Sequence, residues 1–95
     1  LGYDDLHCVN PQLIYATLSG YGRTGPDKDR PGFDLMAQGA TGIMSVTGHP
    51  SQPPVKSSIP ITDVTAGMFA AFGILGAYTH RLKTGEGQHV DTSLR

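Results

Sequence analysis

One carboxylate in this sequence stands where chemistry could be done. Asp63 follows the apolar run Ile59-Pro60-Ile61 and opens a long segment rich in glycine and alanine. Aspartate is a favoured helix N-cap, because its side-chain oxygen accepts an otherwise unpaired N–H of the first turn. A helix N-terminus also favours the ionised carboxylate, through the helix dipole and backbone N–H groups. An ionised carboxylate among apolar neighbours can attack an activated acyl group as a nucleophile. Capping and attack are compatible, and the residue types alone leave both open.

Gly20, Gly22 and Gly25 have the G-x-G-x-x-G spacing of a dinucleotide-binding turn and follow a strand-like run. That motif needs a helix to open at once, so that its N-terminus meets the pyrophosphate. Pro26, several charged residues and Pro31 follow instead. The loop reads as a flexible turn, or as one whose small residues let backbone N–H groups approach some other ligand. His7, His49, His80 and His89 lack metal-ligand spacing, and Cys8 beside His7 does not make a site. Surface or capping roles are expected for them. There is no serine in a nucleophile elbow and no Cys–His–Asn pattern.

The elements that must position these residues can be read from periodicity. Asn10-Pro11 marks a boundary. Leu13 to Ser19 reads as a buried strand, and residues 20–32 as a loop with four glycines and two prolines. Leu35, Met36, Ile43 and Met44 predict one face of a short helix over 33–46, with Asp34 near its start and Gly48 able to end it. Residues 47–60 are a second loop. A helix then opens at Thr62 or Asp63. Met68, Phe72, Leu75, Tyr78, Thr79 and Leu82 recur along it at three- and four-residue intervals. Gly67, Gly73 and Gly76 inside that helix predict close packing and burial, since each costs roughly 0.8–1 kcal/mol against alanine. Gly85 or Gly87 stops it, and Gln88 to Leu94 returns as a strand. Strand, helices and strand imply part of a doubly wound α/β domain.

Composition narrows the function classes. The chain of 95 residues is 38% hydrophobic and 16% charged, with a net charge of −1. These are ordinary globular values. No basic stripe suits nucleic acid. No apolar run looks long enough to cross a membrane, the nearest being Val64 to Tyr78. A single cysteine excludes an internal disulfide and fits a reducing compartment. Both ends read as interrupted elements, so a piece of a larger enzyme, inactive alone, is expected.

Four stretches resemble the family III CoA-transferases, the group that includes α-methylacyl-CoA racemase. They are NPQLIYATLSGYGRTGP (10–26), RPGFDLMAQGATGIMSVTG (30–48), ITDVTAGMFAAFGILGAYTHRLKTGEGQ (61–88) and HVDTSL (89–94). The resemblance implies a central fragment, residues 1–95, of a Rossmann-like large domain, without the N-terminal segment and the small domain. It implies transfer of coenzyme A from an acyl-CoA donor to a small carboxylic acid by an interlocked homodimer. The family's nucleophilic aspartate falls on Asp63. It attacks the donor thioester to give a mixed anhydride; the CoA thiolate returns to give an enzyme–CoA thioester, and the acceptor acid takes the CoA onward.

Coenzyme A contacts are expected at Gly20, Tyr21, Gly22, Arg23 and Phe33. In racemase members a histidine base stands at the position of Phe33, which moves no proton, so the chain looks like a transferase. Coenzyme A or acyl-CoA is then the substrate, with no metal and no NAD, and no nucleic-acid or membrane partner. The expected compartment is the cytoplasm, or the mitochondrion in a eukaryote. A CoA-thioester racemase or dehydratase-like relative, a nucleotide-dependent oxidoreductase and a non-catalytic module are the competing readings.

Overall fold

In the computed structural model, which describes residues 1–95, an Asp5 carboxylate oxygen accepts the Gly2 N–H at 3.0 Å and so closes the start of α1 (Tyr3–Val9). Extended Asn10, ahead of Pro11, ends this helix. Strand β1 (Tyr15–Ser19) follows, then the glycine-rich loop, then α2 (Asp34–Ala40). A single 3₁₀ turn spans Ile43–Val46, the long helix α3 spans Ile61–Thr84, and β2 (His89–Ser93) completes the order.

The single helical face expected over 33–46 is corrected. Gly42 adopts φ 84°, in the left-handed region, and turns the chain out of α2 into the 3₁₀ turn. Gly85, also left-handed at φ 78°, ends α3 by donating its N–H to Arg81 O at 2.8 Å.

The strands pair in parallel, from Tyr15 opposite His89 to Ser19 opposite Ser93. A parallel pair needs a long crossover, and residues 20–88 supply it. Successive strand residues point to opposite faces. Val90 meets α3: a Cβ on Gly73 would stand 2.5 Å from Val90 Cγ1. Its neighbour His89 stacks under Tyr3 of α1, with ring centroids 5.2 Å apart. Helices therefore lie on both faces of the two-stranded sheet, an α/β arrangement.

The large apolar stripe of α3 does not face this sheet. The inward face carries Thr62, Ala66, Gly73 and Ala77, small enough for the helix to sit close on the strands. Met68, Phe72, Leu75 and Leu82 point outward, more than half exposed. The burial expected for this helix is therefore corrected: small residues, not the large stripe, mark its packed face. Gly67 and Gly76 have open space where a Cβ would be, so only Gly73 of the three glycines answers to close packing.

Six residues are buried in all, and the radius of gyration is 16.8 Å. A compact domain of this length would have about 12 Å, so the elements are drawn out along α3. The expectation of no membrane-length apolar element is also corrected. α3, at 24 residues, is long and apolar enough by length and composition, because the helix extends past the run from Val64 to Tyr78 at both ends. In the structure its small-residue face packs on β2, at Gly73 against Val90.

Candidate functional site

Asp63 occupies the third position of α3, not its cap. The helix starts earlier than the sequence suggested, with Val64 N–H donating to Pro60 O at 3.0 Å. The capping oxygen comes from α2. Asp34 Oδ1 accepts the Thr62 N–H at 2.9 Å and the Thr62 hydroxyl at 2.7 Å. Asp34 Oδ2 accepts from Gln38 Nε2 at 2.6 Å, one helical turn on. Gln38 Oε1 in turn accepts the Ser57 N–H at 2.8 Å. Gln38 and Thr62 are both buried and Asp34 and Ser57 half-buried, and the network joins α2, the loop before α3 and the first turn of α3.

Burial works to raise the Asp34 carboxyl. The hydrogen bonds from Thr62, from Gln38 and from the Asp63 N–H outweigh it and hold the group below the ordinary aspartate range. Asp63 itself is exposed, and no side-chain hydrogen bond or salt bridge within the chain engages its carboxylate. The positive end of the α3 dipole lies behind it.

The glycine-rich loop is pinched at its neck. The backbones of Gly20 and Gly32 touch, and a Cβ on either would enter the other's main chain. This contact brings the loop's entry beside Phe33, which precedes α2 in extended conformation and is 63% exposed. Asp34 comes next, bonded to Thr62. Gly20, Phe33 and Asp63 are thus assembled at the carboxyl end of β1, where open parallel sheets generally bind ligands.

The other loop residues point elsewhere. Gly22, at φ 86°, donates its N–H to Ser19 Oγ at 3.1 Å, and a Cβ on it would meet nothing within 4 Å. The Tyr21 ring lies under the Arg30 guanidinium at 5.3 Å. Arg23 turns to the α1 face of the sheet, where its Nη1 stands 3.1 Å from His89 Nε2. No helix opens after Gly25 until Asp34, so the loop lacks the geometry of a pyrophosphate-binding turn.

Tyr3, Tyr15 and His89 form an aromatic cluster on that same face, with Thr17 donating to Asp91. A cavity of about 510 Å³ adjoins it, lined by Tyr3, His7, Glu86 and His89 among others. It lies by the C-terminal end of α3, a helix length from Asp63.

The sequence marks Asp34 and Thr62 only as possible helix starts and gives no role to Gln38. The Asp34–Gln38 spacing was a visible i,i+4 pair, but the bond to Thr62 crosses 28 residues, and no local pattern announces it.

The whole chain, residues 1–95, matches the family model described as CoA-transferase family III. A succinate–glutarate CoA-transferase of Agrobacterium fabrum is 40% identical over 94 residues, covering 99% of this chain and 24% of that protein. An acyl-CoA transferase of Fusarium pseudograminearum is 48% identical over 94 residues, covering 99% of this chain and 21% of that protein. Among solved structures, a CaiB/BaiF family protein from Brucella suis superposes with a TM-score of 0.93 at 42% identity, covering 99% of this chain and 25% of that one. The chain spans about a quarter of the length of the curated relatives it matches.

Proposed function

The chain belongs to CoA-transferase family III, and from that premise we propose that the whole protein moves coenzyme A from an acyl-CoA donor to a carboxylic acid through a covalent intermediate on Asp63. The observation that carries this reading is the state of Asp63. The cap of α3 is supplied by Asp34, which leaves the Asp63 carboxylate unbonded and exposed at a helix N-terminus. A carboxylate serving as a cap would have its oxygen committed to the backbone; this one is free to attack.

The chemistry balances without redox partners or net proton transfer. A carboxylate oxygen of Asp63 bonds to the donor's thioester carbon, the C–S bond breaks and CoA thiolate leaves. The thiolate then attacks the aspartyl carbonyl of the mixed anhydride and releases the donor acid. The acceptor carboxylate attacks the resulting aspartyl thioester, again displacing thiolate. The thiolate attacks the acceptor's carbonyl and restores the Asp63 carboxylate. Phe33, on the same side of the fold, offers an apolar face to the substrate, and the coenzyme approaches the loop at its neck, by Gly20, while Tyr21, Gly22 and Arg23 are engaged within the chain. Of the loop residues, Gly20 supports this most directly, through its contact with Gly32. The Rossmann-like large domain and the interlocked homodimer belong to the same proposal.

Two related proteins are named for succinate and glutarate or for oxalate, so a small dicarboxylate is the first acceptor to test. The full-length protein is incubated with succinyl-CoA or acetyl-CoA and digested for mass spectrometry. The expected product is a coenzyme A adduct on the peptide holding Asp63, discharged on adding glutarate or oxalate. Steady transfer without any adduct on that peptide, under rapid quench, overturns the covalent route.

A further inference from the structure

A nucleophile on the first turn of a helix is only as well placed as that turn. The first turn of α3 has no cap of its own: Pro60 precedes it and offers no side-chain hydrogen bond. Its N–H groups depend on a carboxylate 28 residues upstream. We propose that Asp34 is a positioning residue for Asp63, clamping Thr62 by its N–H and its hydroxyl so that the neighbouring carboxylate is held at a fixed height and orientation. This rests on the reading of Asp63 as the nucleophile.

Three features make the clamp specific. It is double, because one oxygen receives both donors of Thr62, at 2.9 and 2.7 Å. It is braced, because the second oxygen is fixed by Gln38 at 2.6 Å, and Gln38 is itself fixed by the Ser57 N–H at 2.8 Å. It is also polarised in one direction. Ser57 N–H and the Gln38 amide both donate toward Asp34, so an acceptor-only group is needed at the end of the chain. Asparagine at position 34 would face the Gln38 NH₂ with its own NH₂. Flipping Gln38 would only move the donor–donor clash to Ser57. Phe33, the residue before Asp34, is carried on the same support, so the clamp also sets the aromatic face relative to the nucleophile.

The test uses the full-length protein with acetyl-CoA or succinyl-CoA as donor, and reads the rate of coenzyme A adduct formation on the Asp63 peptide in a single turnover. Three variants are compared: Thr62→Val, which removes the hydroxyl but keeps shape and N–H; Thr62→Ser, which restores the hydroxyl; and Asp34→Asn. Each rate is expressed per folded protein, with folding checked by circular dichroism and thermal melting. A displaced reacting group costs on the order of 100-fold in rate for about 1 Å. The expected result is a fall in the adduct rate of roughly 10- to 100-fold for Thr62→Val and Asp34→Asn. The donor concentration for half-saturation should stay near the wild-type value, and Thr62→Ser should recover most of the loss.

A purely structural role predicts lower melting temperatures with unchanged rates per folded molecule. That outcome overturns the proposal, as does an equal loss in Thr62→Ser and Thr62→Val. If Asp34→Asn fails to fold, the Thr62 pair decides the matter alone. Failure of the underlying reading looks different: wild type forms no adduct on the Asp63 peptide, and Asp63→Asn still transfers coenzyme A. With Asp63 shown to be the nucleophile and the Thr62 variants at full rate, only the positioning role is lost.

Discussion

Asp34 Oδ1 accepts both the N–H and the hydroxyl of Thr62, at 2.9 and 2.7 Å. This one carboxylate takes over the capping role that the sequence offered to Asp63. Two aspartates thereby divide two tasks: one is buried in donors and holds the helix, the other stands free at its first turn.

The division has a signature in acid. Asp34 is held below its ordinary range, so the unfolded chain binds more protons there than the folded one. The stability it contributes is complete above the unfolded pKa and is lost as pH falls through the lower folded value. Melting temperature, followed from about pH 5 down to pH 2, should drop steeply in wild-type protein. In Asp34→Asn the melt should be lower near neutrality and shallower on the acid side. Parallel acid limbs in the two proteins would count against Asp34 as a linked group.

Glycines that look alike in sequence should behave oppositely. A Cβ at Gly20 or Gly32 enters the other's backbone, which cannot rotate away as a side chain can. Gly20→Ala should destabilise by about 1–3 kcal/mol or more, as overpacked sites do. Gly76 lies inside α3 with open space where the Cβ would go, so Gly76→Ala should stabilise the isolated 95-residue chain by about 0.5–1 kcal/mol. Urea titration reads both. A neutral Gly20→Ala would mean that the loop neck opens easily.

The outward face of α3 should be sticky. Met68, Phe69, Phe72, Leu75 and Leu82 are each more than half exposed, and contiguous apolar patches of that kind drive association. The 95-residue chain alone should bind a hydrophobic dye and sediment as oligomers. Phe69→Ser with Phe72→Ser should reduce both. A dye-silent monomer with a sharp melt would show that the face is covered by some rearrangement of the chain.

Local rules made the strands and the long helix legible. Leu13 to Ser19 shortens to Tyr15–Ser19, Gln88 to Leu94 to His89–Ser93, and the helix gains Ile61 at its start. Shifts of this size are ordinary at element ends. What local rules missed was directional. The three- and four-residue recurrence of Met68, Phe72 and Leu75 identified a helix but not which face packs. A stripe of large residues and a stripe of small ones both have helical period, and here the small one meets Val90. Asp63 and Phe33 could be singled out from the sequence, and the Gly20–Gly32 contact and the Asp34–Thr62 bond tie together the segments that carry them. The support of that site was not legible, because the bonds from Asp34 to Thr62 and from Gln38 to Ser57 span 28 and 19 residues and exist only once α2 has packed on α3.

Asp63→Asn separates chemistry from structure more cleanly here than at a capping position. At a cap, asparagine keeps the hydrogen bond and aspartate's charge is the only loss. At the third position of α3, with no partner on its side chain and with Asp34 holding the helix, even that loss is small. Surface changes of this sort stay within about 0.5 kcal/mol, apart from the dipole term of about 0.3–1 kcal/mol for a first-turn carboxylate. Folding of the full-length protein should therefore be nearly unchanged. Transfer should fall by several orders of magnitude, since the amide is a poor nucleophile and the covalent route is removed. The wild-type peptide should carry coenzyme A after incubation with the right acyl-CoA, and the variant peptide none. Deamidation restores aspartate, so the intact mass of the variant must be confirmed after the assay. Near-normal turnover by a variant whose mass still reads asparagine would show that Asp63 is not the group that receives the acyl chain.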